Sequence, residues 1–356
     1  MSCSTGKNIV VTVFGQSHSG AIGAVIDGVP AGIAIDEEKI SAFMQRRSAR
    51  GELSTARHET DKVKIVSGLV NGVTCGAPIC GIIENNDADS SAYDIYKTVP
   101  RPSHSDFAAY MKHHGFNDIR GGGNSSGRMT AALCFAGAVC IQLLETKNVF
   151  IGAHASSVYN IDDERFDPVN VGKAELEAVT LKEYPVINDD ALEKMKAVIA
   201  QAKENKNSVG GTVECAVIGL EPGLGEPIFG GIENKISAAV FGIPAVKGIE
   251  FGSGFFGSGL FGSENNDDFS AVNGKTVTDT NNHGGILGGM TSGMPLIFRC
   301  AVKPVPSIGT PQKSIDLETG ESREIKIDGR HDSCIVMRAV PCVEAAAAVA
   351  IADFIF

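Results

Sequence analysis

The sequence predicts an α+β fold, one domain over residues 1–356, in which helices are sandwiched between or stacked against antiparallel sheets. Three observations carry that expectation. Short Val- and Ile-rich runs bounded by Gly, Pro or Asn follow one another at hairpin-like spacing. Two long segments, 129–145 and 341–356, are so apolar or so rich in alanine that they suit an interior between layers. No linker, low-complexity tail or repeat of solenoid period divides the chain.

NIVVTVFG (8–15), AIGAVIDGV (21–29), VKIVSGLV (63–70) and ICGIIE (79–84) read as strands. DEEKISAFMQRR (36–47) puts Ile40, Phe43 and Met44 at helical spacing, opens on acidic residues and closes on Arg46 and Arg47, in accord with the helix macrodipole. Its C-terminal end is therefore a local positive patch. MTAALCFAGAVCIQLLE (129–145) predicts a buried helix, and DDALEKMKAVIAQAKENK (189–206) an amphipathic one. HGGILGGMTSGMPLIF (283–298) reads as a glycine-rich turn and a strand, followed by the Pro-fixed loop KPVPSIGTPQ (303–312). PCVEAAAAVAIADFIF closes the chain as a helix, with Pro341 in its first turn and an alanine face suited to close helix packing.

With 43% hydrophobic and 21% charged residues, the chain has the composition of an ordinary globular protein. A formal net charge of -11 argues against nucleic acid or an anionic membrane as partner, so any bound anion must be held by local arginines. The nine cysteines lack CxxC or zinc-ligand spacing and sit mostly in apolar runs; reduced core thiols and no metal site are expected. No basic leader precedes a long apolar run, and no stretch reaches ~18 uninterrupted apolar residues. A cytoplasmic protein is expected.

Several segments suit chemistry. In RGGGNSSGRMTA (120–131), successive Gly and Ser residues can leave backbone N–H groups convergent on an anion, Ser125 or Ser126 can cap the following helix, and Arg128 adds charge. The same loop also serves simply to start a buried helix close to a sheet. His18 in FGQSHSG and His104 in RPSHSD share small-residue settings and are candidate acid–base groups, joined by Arg330, His331 and Asp332 in GRHDSC. Arg46, Arg47, Arg50, Arg57, Arg101, Arg120, Arg128, Arg330 and Arg338 mostly fall beside glycine-rich or histidine segments, a distribution that suggests a substrate with several negative charges. GSGFFG (252–257) matches GxGxxG, but the glycine-rich, polar continuation predicts no helix to present to a pyrophosphate, so a dinucleotide fold is not expected.

Taken in order, FGQSHSG, IDGVPAGI, RPSHSD, RGGGNSSGR, VKGIEFGSGF, NNHGGILGGMTSGMP, KPVPSI and GRHDSCIVMRAVP give a chain that resembles the chorismate synthase family over nearly its whole length. The resemblance implies a single-domain α+β sandwich with helices between two antiparallel β-sheets. It also implies a lyase of the shikimate pathway, which converts 5-enolpyruvylshikimate 3-phosphate to chorismate and phosphate by anti-1,4-elimination, using reduced FMN with no net redox change. A homotetramer is implied, and NADP is associated with the family. Because no segment able to reduce flavin is apparent, a separate flavin reductase is expected as partner. The alternative is a non-catalytic flavin- or phosphometabolite-binding protein on the same scaffold.

By this resemblance His18, His104 and Asp332 are the catalytic residues, with Ser17 and Ser126 in support. Arg46, Arg47, Arg50, Arg128 and Arg330 would bind substrate, the alignment being loose beyond Arg47. Asn124, Ser125, Ser126, Pro244, Ala245, Gly288, Arg330 and the run Lys303, Pro304, Val305, Pro306, Ser307 would contact FMN. Three positions depart from the family pattern: Asn124 stands where an arginine is usual, while Gln16 and Met129 replace carboxylates. The lost charges partly offset one another.

Overall fold

The computed structural model describes residues 3–48, 61–85, 93–327 and 332–356. Its first antiparallel sheet comprises β1 (Ser4–Thr5), β2 (Val10–Gly15), β3 (Ala21–Asp27), β4 (Val63–Ser67) and β5 (Ile79–Glu84), in the order β1-β2-β3-β5-β4. The strands β2 to β5 are those expected from the sequence, whereas the two-residue β1 was not foreseen, and one expected run is broken. The run 63–70 breaks at Gly68, whose φ of +90° a side chain rarely adopts and where a Cβ would lie 2.6 Å from the Ile79 Cα.

The second antiparallel sheet comprises β6 (Phe150–Val158), β7 (Ile161–Asp162), β8 (Gly211–Ile218), β9 (Val246–Phe251) and β10 (Leu296–Val302), in the order β9-β10-β8-β6-β7. Of these, only β10 was foreshadowed by a pattern in the sequence. The helices of eight residues or more are α1 (Glu37–Arg47), α2 (Asp106–His113), α3 (Thr130–Glu145), α4 (Lys173–Thr180), α5 (Asp189–Glu204), α6 (Ile232–Phe241) and α7 (Val336–Ile355).

Between the sheets lie two helical layers. Helix α3 covers the first sheet with α1 packed beside it against α3 and α7, and α6 and α7 cover the second. One cluster of buried side chains runs through all four layers, from Ile22 and Ile79 through Phe135 and Ala346 to Cys215 and Phe298. Helix α3 is buried nearly all round because it is covered on both sides, by the first sheet and by α7. On the outer face of the second sheet, α4 seals a smaller apolar cluster around Phe166, Leu176 and Ala216.

Helix α1 begins where its sequence says it should, with the Asp36 carboxylate accepting from the Glu38 and Lys39 N–H groups at 2.8 and 3.2 Å. Helix α7 does not: it starts at Val336, and Pro341 lies inside it. Pro341 forfeits one ladder hydrogen bond, yet the helix continues through it inside the core, where packing outweighs the local preference. Residues 254–257 form a single helical turn after β9, where none was expected; β9 pairs antiparallel with β10, so no dinucleotide-binding unit results. Six cysteines are buried as expected, but Cys3 and Cys75 are exposed.

Candidate active site

The N-terminal ends of α3 and α7 open on one cleft of about 710 Å³, within the usual range for small-molecule sites. Helix N-termini favour anions there, through unpaired N–H groups and the macrodipole. Around it converge Ser17, the 101–105 loop, the 121–128 loop, residues 244–247 at the start of β9, residues 303–307 after β10, and Asp332.

The glycine-rich 121–123 segment adopts positive φ at all three glycines (60°, 89° and 56°), which folds it against the strand-end loop that carries Ser17 and His18. The Gly123 carbonyl accepts from the Ser17 N–H at 3.0 Å. A Cβ on Gly121 would lie 2.5 Å from Ser17 Oγ and 2.8 Å from His18 Nε2. Glycine here is what lets the two loops touch. Ser126, not Ser125, caps the following turn by accepting from the Arg128 N–H at 3.2 Å. The His18 ring meets Tyr93 edge-on with centroids 5.3 Å apart.

His104 Nδ1 lies 3.0 Å from the Pro102 carbonyl and Nε2 lies 2.8 Å from Ser307 Oγ. A carbonyl only accepts, so we assign the proton to Nδ1, leaving Nε2 to accept from the serine. Burial, then the field of Arg101, lowers the His104 pKa to about 4, against the opposing pull of the Pro102 carbonyl and Asp106. His104 is thus neutral at neutral pH and holds Ser307 in place. Lys303 Nζ donates to the Ser103 carbonyl at 2.8 Å, tying the same two loops together.

Arg47 and Arg128 share one carboxylate. Asp61, fully buried, accepts from Arg47 Nη1 at 2.5 Å and from Arg128 Nη1. Burial alone would raise the Asp61 pKa, but the fields of Arg47 and Arg128 and the hydrogen bonds from both bring it below the ordinary value. Asp332 pairs with Arg338 Nη1 at 2.5 Å, and Arg338 Nε donates to the Arg47 carbonyl at 3.0 Å. Arg101 is clamped by Asp106 through two contacts of 2.7 and 2.8 Å and lies over the rings of Tyr93 and Tyr96. Among the described residues, six cationic side chains line the cleft (Arg47, Arg101, Arg128, Lys247, Lys303, Arg338), against one lining carboxylate, Asp332.

The structure therefore gathers Ser17, Arg47, His104, Ser125, Ser126, Arg128, Pro244, Ala245, Lys303, Val305, Pro306, Ser307 and Asp332 around one space, with His18 directly behind Gly121 and Pro304 within the lining loop. Three residues stand apart. Arg46 turns away and pairs bidentately with Glu344 at 2.6 and 2.7 Å, because neighbouring residues on a helix differ by about 100° in direction and Arg47 takes the cleft side. Asn124 is exposed outside the lining, and Gly288 lies in the exposed turn between Leu287 and Met290. Arg50, Arg57, Arg330 and His331 lie outside the described residues.

Residues with no assigned role in the sequence reading also contribute. Arg101 and Arg338 carried a signal, as arginines beside the histidine and GRHDSC segments. Asp61, Thr130, Lys247 and Cys342 carried none. Arg47 Nε donates to Thr130 Oγ1 at 3.0 Å, a contact that only the packing of α1 against α3 creates.

Fold and cleft together define an anion-handling enzyme, with paired guanidinium groups and helix N-termini beside an apolar stretch of Phe241, Ile243, Pro244 and Val246. The comparisons with known proteins make this specific. The family model described as chorismate synthase matches residues 9–356. A chorismate synthase from Lancefieldella parvula is 42% identical, with 100% of this chain and 97% of that protein covered. One from Thermococcus gammatolerans is 44% identical, with 98% and 96% covered. A crystal structure of chorismate synthase superimposes with a TM-score of 0.77 at 27% identity, covering 98% of this chain and 92% of that one. The chain belongs to the chorismate synthase family, lyases of the shikimate pathway, and nothing in the comparisons favours a non-catalytic binder.

Gly121→Ala follows as a local test of the loop contact. The added methyl has to displace Ser17 and the His18 ring at a positive φ, so it is expected to cost about 1–3 kcal/mol of stability and about tenfold in kcat/KM. Thermal denaturation and initial rates measured together check both.

Proposed function

We propose that this cleft carries out the anti-1,4-elimination of phosphate from 5-enolpyruvylshikimate 3-phosphate, with reduced FMN bound beside the substrate. The observation that carries the reading is the convergence of Arg47, Arg128, His104, Ser17, Ser126 and Asp332, drawn from distant segments, on one cleft with both a cationic and an apolar lining. The substrate bears a phosphate and two carboxylates. Arg47 and Arg128, held side by side by Asp61, can grip such anions and stabilise charge on the departing phosphate.

The apolar stretch of Phe241, Ile243, Pro244 and Val246 adjoins Val305 and Pro306 through the Lys303 N–H bond to the Ala245 carbonyl at 3.0 Å, and such a surface fits a flat isoalloxazine ring. Reduced FMN held against Pro244, Ala245, Val305 and Pro306 would supply the electron-transfer chemistry that C–O cleavage needs. The chain's own residues do the rest. Neutral His104 orients the Ser307 hydroxyl, Ser17 in the cleft wall and His18 behind Gly121 manage protons at the phosphate, and Asp332 is placed by Arg338 to relay a proton. Asn124 lies outside the lining, so the cationic character of the cleft rests on the cations that do line it, Arg128 and Lys303 among them.

The same reading brings a homotetramer, a cytoplasmic location and an outside source of reduced flavin, such as a separate reductase drawing on NADPH. Phe229, Phe255, Phe256 and Phe261 are large apolar side chains left exposed, of the kind that subunit contacts cover. The test is turnover in the absence of oxygen with chemically reduced FMN. His18→Ala and His104→Ala are each expected to lower it about tenfold or more with the fold retained, as judged by circular dichroism. Near-normal turnover in both variants removes the histidines from the mechanism, and absence of product in the wild type, with ligand bound, refutes the enzyme reading.

A further inference from the structure

Helices α3 and α7 meet so tightly at Gly137 and Ala345 that a Cβ on Gly137 would lie 2.2 Å from the Ala345 Cβ and 2.4 Å from its Cα. One turn earlier on each helix, Cys134 Sγ lies 3.8 Å from Cys342 Sγ. The glycine contact one turn on holds the two backbones close, and the two sulfurs already face each other. Cys134 is wholly buried, and Cys342, only 3% exposed, lies in the cleft wall. The two thiols also differ in character. The Cys134 hydrogen bond, with Arg47, Thr130 and Arg338 nearby, lowers the Cys342 pKa despite burial, while burial raises that of Cys134. Cys342 is thus the readier thiolate, and the thiolate is the reactive form.

We propose that Cys134 and Cys342 are a redox-active dithiol that re-reduces, in place, flavin that has been delivered from outside and has since oxidised in the cleft, and that the dithiol closes to a disulfide as it does so. The proposal rests on the reading that FMN binds there. Two S–H bonds break and one S–S bond forms; the two electrons and two protons pass to the isoalloxazine, which becomes the reduced flavin. Because the elimination leaves flavin with no net redox change, a single delivery per chain primes many turnovers. An external thiol then reopens the disulfide by exchange.

The experiment uses the full-length chain, reduced with dithiothreitol and desalted under nitrogen, then mixed with oxidised FMN and 5-enolpyruvylshikimate 3-phosphate. Flavin fluorescence reads binding, visible absorbance reads reduction, and alkylation with peptide mass mapping reads the thiols. The expected result is loss of two of the nine thiols for each flavin bleached, mapped to a Cys134–Cys342 disulfide. Cys134→Ser and Cys342→Ser should each abolish bleaching, whereas exposed Cys75→Ser should not. The wild-type map stands even where a core variant fails to fold. Bound FMN that keeps its colour while all nine thiols are alkylated overturns the dithiol and leaves the flavin reading intact, as does a disulfide between other cysteines. Failure of FMN to bind at all overturns both.

Discussion

Replacing Arg128 by alanine is expected to lower kcat/KM for chorismate formation by about 10²–10³, the loss typical when a preorganised donor to developing charge is removed. The guanidinium is fixed from two sides before any ligand arrives: Nη1 bonds Asp61, and Nε donates to Asn85 Oδ1 at 3.1 Å. Such a fork costs no reorganisation when charge develops on the leaving phosphate. Asp61 keeps its Arg47 and Ser48 partners in the variant, so the fold should survive. Arg128→Lys restores the charge but not the two-sided fixation and should recover only part of the loss. The measurement is the initial rate under anaerobic conditions with reduced FMN, with the melting temperature as control. A rate within about threefold of wild type would remove Arg128 from the charge-stabilising role.

How far the sequence spoke for itself differed between the two halves of the fold. The first sheet and α1 were legible because one face of each is apolar and the ends carry their own signals, such as the Asp36 cap and Arg46–Arg47. Strands β6 and β8 were not, because both of their faces are buried: one lies under α7, the other under α4 and a row of paired charges. FIGAHASSV therefore lacks the alternation that marks a strand. In the site, the glycine, serine and histidine segments stood out, since tight loops and polar side chains leave a compositional trace. The choice between Arg46 and Arg47 needed the helix's rotational phase, and Asp61 looked like any surface acid until α1 and α3 closed over it. Pro341 misled because its usual first-turn role gave way to a core that buries the whole helix.

The row of charges beneath α4 yields the second large effect. Register places Glu250, Arg299, Glu214 and His154 side by side on β9, β10, β8 and β6. Arg299 bridges Glu250 at 2.7 Å and Glu214 at 3.1 Å, and His154 bridges Glu214 at 3.1 Å and Asp163 at 2.9 Å. Glu214→Ala leaves Arg299 and His154 each short of a partner in a buried site, and should cost about 3–5 kcal/mol in urea unfolding. The pH dependence has a definite sign. Burial opposes the His154 charge, but hydrogen bonds to Asp163 and Glu214 prevail and raise its pKa above 6.5. That contribution is full below 6.5 and is lost as pH rises through the folded value. Burial likewise opposes the Glu214 charge, yet the His154 hydrogen bond and field bring it below 4.5, so its contribution is full above 4.5 and fades as pH falls through the folded value. The stability gap between wild type and His154→Gln should therefore be widest between 4.5 and 6.5 and narrow on the alkaline side. A gap that stays constant across that range and beyond would mean that His154 is neutral in the fold, and that the row is held by Arg299 alone.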